Sequence, residues 1–136
     1  PLLDVGCGTG ILTVAAHRLG FGPLTGLDID PAAIDCAREN LALNGLPGDA
    51  MILSTDPVSS VPGTWPVVVA NILAHILLEL ARHLAARTAP GGLLILCGVL
   101  TAERQEVLDR FADHGFHLET AAELGPWSRL DLRRLP

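Results

Sequence analysis

The chain has 136 residues, 49% of them apolar, and a formal net charge of −6, which suits one compact domain around one core. No apolar run approaches the ~18 residues that a membrane-spanning helix needs, and an acidic surface disfavours tight binding to a phosphate backbone, so neither a membrane nor a nucleic acid is expected as a partner. All nine basic residues are Arg, a compositional bias that carries little mechanism.

Short apolar runs alternate with helical periods, which predicts an α/β chain with a mostly parallel sheet. Leu2 to Val5 reads as a buried strand with almost nothing before it. A strand usually runs ~5–6 residues, so residues 1–136 are expected to be one domain cut at its N-terminus, without a signal peptide. Ile11 to Leu19 is helical and Gly20 ends it. Leu24 to Ile29 is the second strand. Asp30 then caps a helix with Pro31 at its first position. Ile34, Ala37 and Leu41 share one face of that helix, and Asn44-Gly45 closes it.

Ala50 to Leu53 is a short third strand, and Pro57 to Pro66 is a loop. Val67 to Ala70 is a buried strand ending at Asn71. Ile76, Leu77, Leu80 and Leu84 mark a helix stopped by Pro90-Gly91-Gly92. Leu93 to Cys97 is the fifth strand. Thr101 is expected to cap a helix carrying Val107, Leu108 and Phe111, ended by Gly115. Phe116 to Leu124 and Trp127 to Arg134 read as a closing strand pair joined by Gly125-Pro126. The alternation from Arg129 to Arg133 suits a half-exposed antiparallel edge.

Chemistry concentrates first in Asp4-Val5-Gly6-Cys7-Gly8-Thr9-Gly10. Gly6, Gly8 and Gly10 lie between a strand and a helix, where glycine lets the backbone turn and approach a ligand. The helix N-terminus offers free N–H groups to an anion. A dinucleotide loop reads G-x-G-x-x-G and needs glycine at position 11, where Ile11 stands. The spacing therefore fits a single carboxylate, such as the methionine end of S-adenosylmethionine. Asp4, the acid before the loop, is counted with it.

Asp28 ends the second strand, where a carboxylate can accept from both hydroxyls of a ribose diol. Ile29 after it either lies against an adenine face or packs in the core. Ser54 and Thr55 end the third strand, as adenine contacts or as ordinary loop hydroxyls. Asn71 ends the fourth strand, at the carboxyl edge where open α/β sheets bind ligands. Its side-chain carbonyl can accept from an amine and aim it at a methyl group. It is counted among both the catalytic and the cofactor contacts, and its rival role is a turn residue or cap. Cys7, Cys36 and Cys97 form no C-x-x-C pair, so neither a disulfide framework nor a zinc site is expected, and a reducing cytoplasm is the natural setting. The five histidines show no ligand spacing, and no metal is expected. Cys7 has no base partner, which argues against a nucleophile.

Together these features resemble class I S-adenosylmethionine-dependent methyltransferases. The stretches DVGCGTGILTVAA, GLDIDPAAIDCARENLALNG, VVVANILAHILLELA and APGGLLILCGVLTAERQEVLDRFADHGF are similar to the PrmA family, the bacterial methyltransferases of ribosomal stalk protein L-eleven. The resemblance implies a Rossmann-like fold with an antiparallel C-terminal strand and helices on both faces. It implies that Gly6, Gly8 and Gly10 hold the methionine portion of S-adenosylmethionine and that Asp28 holds its ribose. Asn71, with the backbone carbonyls of Ile72 and Leu73, orients the acceptor amine. Methylases of planar amides carry Asn-Pro-Pro-aromatic here. Asn-Ile-Leu-Ala points instead to aliphatic amines, lysine or an N-terminus, of a ribosomal protein. The family's N-terminal recognition domain and its Gly-Thr-Gly-x-His-type helix have no counterpart in these residues. The rival readings are a small-molecule or other protein-lysine methyltransferase, a non-catalytic cofactor-binding remnant and, behind both, a nicotinamide oxidoreductase.

Overall fold

The computed structural model describes residues 1–49 and 51–136. They form two compact units, Pro1–Val61 and Pro62–Pro136. The chain is α/β, as its alternating pattern predicts.

In the first unit, β1 (Leu2–Val5), β2 (Leu24–Leu27) and β3 (Met51–Ser54) are parallel, in the order β3-β2-β1. All four residues of β1 are buried, as expected of a parallel strand covered on both faces. The helix α1 (Ile11–Arg18) follows the glycine loop, and α2 (Pro31–Leu43) follows β2. Asp30 caps α2 as predicted, its Oδ1 accepting from the Ala32 N–H at 2.9 Å. Ile34, Ala37 and Leu41 are its buried residues. The second strand stops at Leu27, two residues before its expected end; the Asp28 N–H still donates to the Ser54 carbonyl at 3.2 Å, while the Asp28 side chain accepts from Gly8 and Asp30. Ala50, the expected start of the third strand, lies outside the described residues.

In the second unit, β4 (Trp65–Asn71), β5 (Thr88–Leu100), β6 (Phe116–Leu124) and β7 (Trp127–Arg134) take the order β4-β5-β7-β6. β4 and β5 are parallel, while β7 runs antiparallel to both neighbours. Between them lie α3 (Ala74–Arg87), a short 3₁₀ turn over Thr101–Glu103, and α4 (Arg104–Ala112). Leu77, Leu84, Leu94, Leu96, Val107, Phe111, Leu130 and Leu132 are buried at its centre. Phe111 and Phe116 meet edge to face at 5.8 Å. No helix among the described residues is long and apolar enough to cross a membrane.

Three local expectations change here. Pro90-Gly91-Gly92 does not precede β5 but interrupts its start. Trp65 pairs Thr88 while Val67 pairs Leu93, so the turn residues loop out of the ladder. Thr101 caps no helix, since its hydroxyl reaches the Pro126 carbonyl and Ser128. β7 is paired on both sides, and β6 is the edge. β6 is exposed from His117 to Leu124.

Candidate functional site

The first unit carries the glycine loop, and its geometry follows from three left-handed residues. Gly6, Gly8 and Gly10 have φ of 73°, 52° and 78°, a region that costs any residue with a Cβ about 1–2 kcal/mol. The Gly6 and Cys7 N–H groups donate to the Leu27 carbonyl at 2.8 and 2.9 Å, tying the loop to the end of β2. Gly10 adds a packing requirement: a Cβ there would sit 3.2 Å from the Ala37 Cβ. No side chain caps α1, so its first-turn N–H groups are available to an anion.

Asp28 is built into this loop. Its Oδ2 accepts from the Gly8 N–H at 2.9 Å, and its Oδ1 from the Asp30 N–H at 3.0 Å. Each carboxylate oxygen has two lone pairs, so both retain a place for a hydroxyl donor. Asp28 thus shapes the loop as well as presenting a diol acceptor. The Asn40 amide donates to the Thr9 carbonyl at 2.9 Å, a second brace.

Asp4 is buried at the loop's entrance. Its Oδ2 accepts from the Thr13 hydroxyl at 2.8 Å. Its Oδ1 is buried with no hydrogen-bond partner among the described residues. Burial pushes this carboxyl up to about 6; the Thr13 hydrogen bond opposes the shift, and the Asp28 charge adds to it. A buried, unsatisfied acceptor is costly, and an ammonium group is the kind of donor that would complete it. The loop residues therefore fit an α-amino acid end: its carboxylate toward the α1 N-terminus, its amine toward Asp4. Cys7 lies buried nearby, and burial, with Asp4 and Asp28 beside it, holds its thiol up at about 12. A protonated thiol is no nucleophile, in keeping with the sequence reading.

Ile29 is 80% exposed, which removes the core-packing alternative and leaves an apolar face at the loop. Thr55 is exposed. Ser54 is spent locally, its hydroxyl donating to Asp56 at 2.7 Å.

The second unit carries Asn71-Ile72-Leu73 between β4 and α3. Asn71 is exposed at the strand end, in register with Cys97 of β5. Leu73 is 55% exposed. Its carbonyl accepts from the Ile76 and Leu77 N–H groups at 3.0 and 3.1 Å. That carbonyl opens α3, which leaves the exposed Leu73 side chain and the Ile72 carbonyl as the candidates for the acceptor side. These residues line a cleft of about 610 Å³ with Gly98, Glu123, Trp127 and Arg129. The cleft is mostly apolar, bounded by charge at Glu123 and Arg129. Cys97, also in its wall, has its thiol pushed up by burial.

Sequence reasoning missed Thr13, Gly98 and Trp127. Thr13 was readable as a polar residue on the inward face of α1. Trp127 was read only as a strand start.

The model of the family described as ribosomal protein L11 methyltransferase (PrmA) matches residues 1–135. The chain belongs to that family. It is 46% identical over 129 residues to a ribosomal protein L11 methyltransferase from Geobacter metallireducens, covering 95% of this chain and 42% of the relative. The match to the family's relative in Myxococcus xanthus is 41% over 133 residues, covering 98% of this chain and 45% of the relative. The chain thus spans less than half the length of these curated relatives. The crystal structure of a ribosomal protein L11 methylase from Lactobacillus delbrueckii subsp. bulgaricus superposes with a TM-score of 0.93 at 32% identity, over 99% of this chain and 69% of that one. A magnesium protoporphyrin IX methyltransferase from Synechocystis, solved with SAM, matches with a TM-score of 0.81 at 18% identity and speaks to the fold alone. The family's fold is the Rossmann-like methyltransferase fold that the sequence resemblance implied.

Proposed function

We propose that the protein transfers a methyl group from S-adenosylmethionine to amino groups of ribosomal protein L11, lysine side chains or the N-terminal amine. The observation that carries the cofactor half is the lock between Asp28 and Gly8, which puts a diol acceptor on the anion-binding loop. Bound S-adenosylmethionine supplies an activated methyl on a sulfonium. Gly6, Gly8 and Gly10 hold its methionine end, with Asp4 taking the amine. Asp28 takes the ribose, and Ile29 and Thr55 meet the adenine. The names of the relatives support the substrate half.

Asn71 is the acceptor-side residue. Its Oδ1 and the Ile72 carbonyl accept hydrogens from the incoming amine and aim its lone pair at the methyl. The gain is one of positioning, with reacting atoms held ~3–3.5 Å apart. Lysine has an ordinary pKa of ~10.4, so the amine must arrive deprotonated. The apolar walls of Leu73 and Trp127 favour the neutral form. No enzyme nucleophile takes part, in keeping with the raised thiols of Cys7 and Cys97. A ribosomal substrate puts this work in the cytoplasm.

The test is mass spectrometry of ribosomal protein L11 incubated with the protein and S-adenosylmethionine. Methyl gain on amines supports the reading. Methyl gain only on free small amines replaces the substrate, and cofactor binding without transfer to any amine reduces the chain to a binding module.

A further inference from the structure

The β5 strand departs from its ladder at one place. Its pairing with β7 slips between Leu96 and Val99, so Cys97 and Gly98 form a bulge beside Asn71. Bulges commonly re-aim residues next to active sites. Gly98 has φ of 76°. A Cβ built on it would lie 2.6 Å from the Ile72 carbonyl oxygen, 3.0 Å from its carbon and 3.2 Å from the Asn71 Oδ1. Two of those three atoms are backbone and cannot swing aside. The third is the amide oxygen itself.

We propose that Gly98 is a positioning residue for methyl transfer, whose missing side chain lets β5 seat the two amine acceptors, Asn71 Oδ1 and the Ile72 carbonyl, where they align the incoming nucleophile. This rests on the reading of Asn71 given above. Any Cβ at this position forces the Ile72–Leu73 peptide, whose carbonyl it meets, and the Asn71 side-chain amide away from β5 by several tenths of an ångström. A misplacement of ~1 Å at reacting atoms can cost ~10²-fold in rate. The rate of the chemical step should therefore respond, while the glycine loop, which holds the cofactor, should not.

Two glycines in the same strand separate this from a fold effect. Gly91 shares the left-handed backbone, with φ of 70°, but a Cβ there meets nothing within 4 Å. Gly92 shares the crowding, since its Cβ would lie 2.7 Å from the Ala89 carbonyl oxygen, but its neighbours are Pro66, Thr88 and Ala89. The experiment compares Gly98→Ala, Gly91→Ala and Gly92→Ala for kcat on ribosomal protein L11, for cofactor Kd by calorimetry and for folding midpoint. Asn71→Ala and Asn71→Ala with Gly98→Ala complete a cycle.

The expected result is a kcat at least ~10-fold lower for Gly98→Ala, with a cofactor Kd within about twofold of the parent. Gly91→Ala and Gly92→Ala lose stability but keep kcat, and in the double variant the two losses are less than additive, because part of the Gly98→Ala effect acts through Asn71 and the rest through the Ile72 carbonyl. A parent-like kcat in Gly98→Ala overturns the proposal. So does an equal loss in either control, a fully additive loss with Asn71→Ala, or a Gly98→Ala chain that does not fold while the controls do. A parent-like kcat in Asn71→Ala sinks the reading of Asn71 and this inference with it, whereas a slow Asn71→Ala beside a normal Gly98→Ala sinks the inference alone.

Discussion

The backbone N–H of Gly8 donates to the Asp28 carboxylate at 2.9 Å, joining the loop after β1 to the residue after β2. The same carboxylate accepts from the Asp30 N–H. An amide in place of the carboxylate turns one of these contacts into donor facing donor. Asp28→Asn should therefore weaken S-adenosylmethionine binding by at least ~10-fold, since hydrogen bonds to a charged group are worth about 1.5–3 kcal/mol. Calorimetric titration reads the loss directly. An unchanged affinity would show that Asp28 neither shapes the loop nor meets the ribose.

Asp4 makes stability depend on pH. Its carboxyl is raised from an ordinary 3.8 to about 6, mainly by burial. The folded chain therefore holds this proton more tightly than the unfolded chain does. Between about 3.8 and 6, stability from this group falls as pH rises, and above 6 the full cost of a buried charge is present. Asp4→Asn keeps an acceptor for Thr13 and removes the charge. It should therefore gain more folding stability relative to the parent at pH 7 than at pH 4.5. The same change should weaken cofactor binding, because a neutral amide would replace the carboxylate that faces the ammonium. Thermal unfolding at the two pH values and a binding titration check both halves.

Gly10→Ala meets two penalties. Its φ of 78° is left-handed, and the new Cβ would press on Ala37 at 3.2 Å. A loss of about 2 kcal/mol or more in denaturant unfolding is expected, with the slope unchanged. A neutral result would mean that α1 and α2 are less tightly seated than the contact implies.

Trp127 is 47% exposed on the wall of the second unit's cleft. Trp127→Ala should raise the KM for the protein substrate several-fold and leave cofactor affinity alone. Binding energy of this kind is shared by ground and transition states, so kcat should move less than KM. Steady-state kinetics with each substrate varied in turn distinguishes the two.

The glycine-loop half of the candidate site was the more legible in the sequence, because its geometry is local. Three glycines at alternate positions state their own backbone geometry, and Asp30-Pro31 announces a capped helix that starts where expected. The closing pair from Phe116 to Arg134 was also readable to the residue, since Gly125-Pro126 divides two alternating runs. What escaped depends on contacts between distant residues. Pro90-Gly91-Gly92 carries the signature of a turn, yet the ladder with β4 resumes beyond it. The polar alternation of β7 suggested an edge, but β6 covers it. Thr101 had the type and place of a cap, and its hydroxyl was taken by Pro126 and Ser128 across the unit. Gly98 gave no local sign at all, for its role exists only through Ile72 and Asn71 on the neighbouring strand end. Leu73 was matched by position, but its carbonyl proves to belong to α3.

Asn71 is the residue proposed to aim an amine at the methyl group. The most direct test is single-turnover methyl transfer to ribosomal protein L11 by Asn71→Ala, at saturating S-adenosylmethionine and with the cofactor Kd measured alongside. A rate lower by ~10²-fold or more with Kd within a few-fold of the parent is predicted. A parent-like rate in a chain that still binds the cofactor would contradict it.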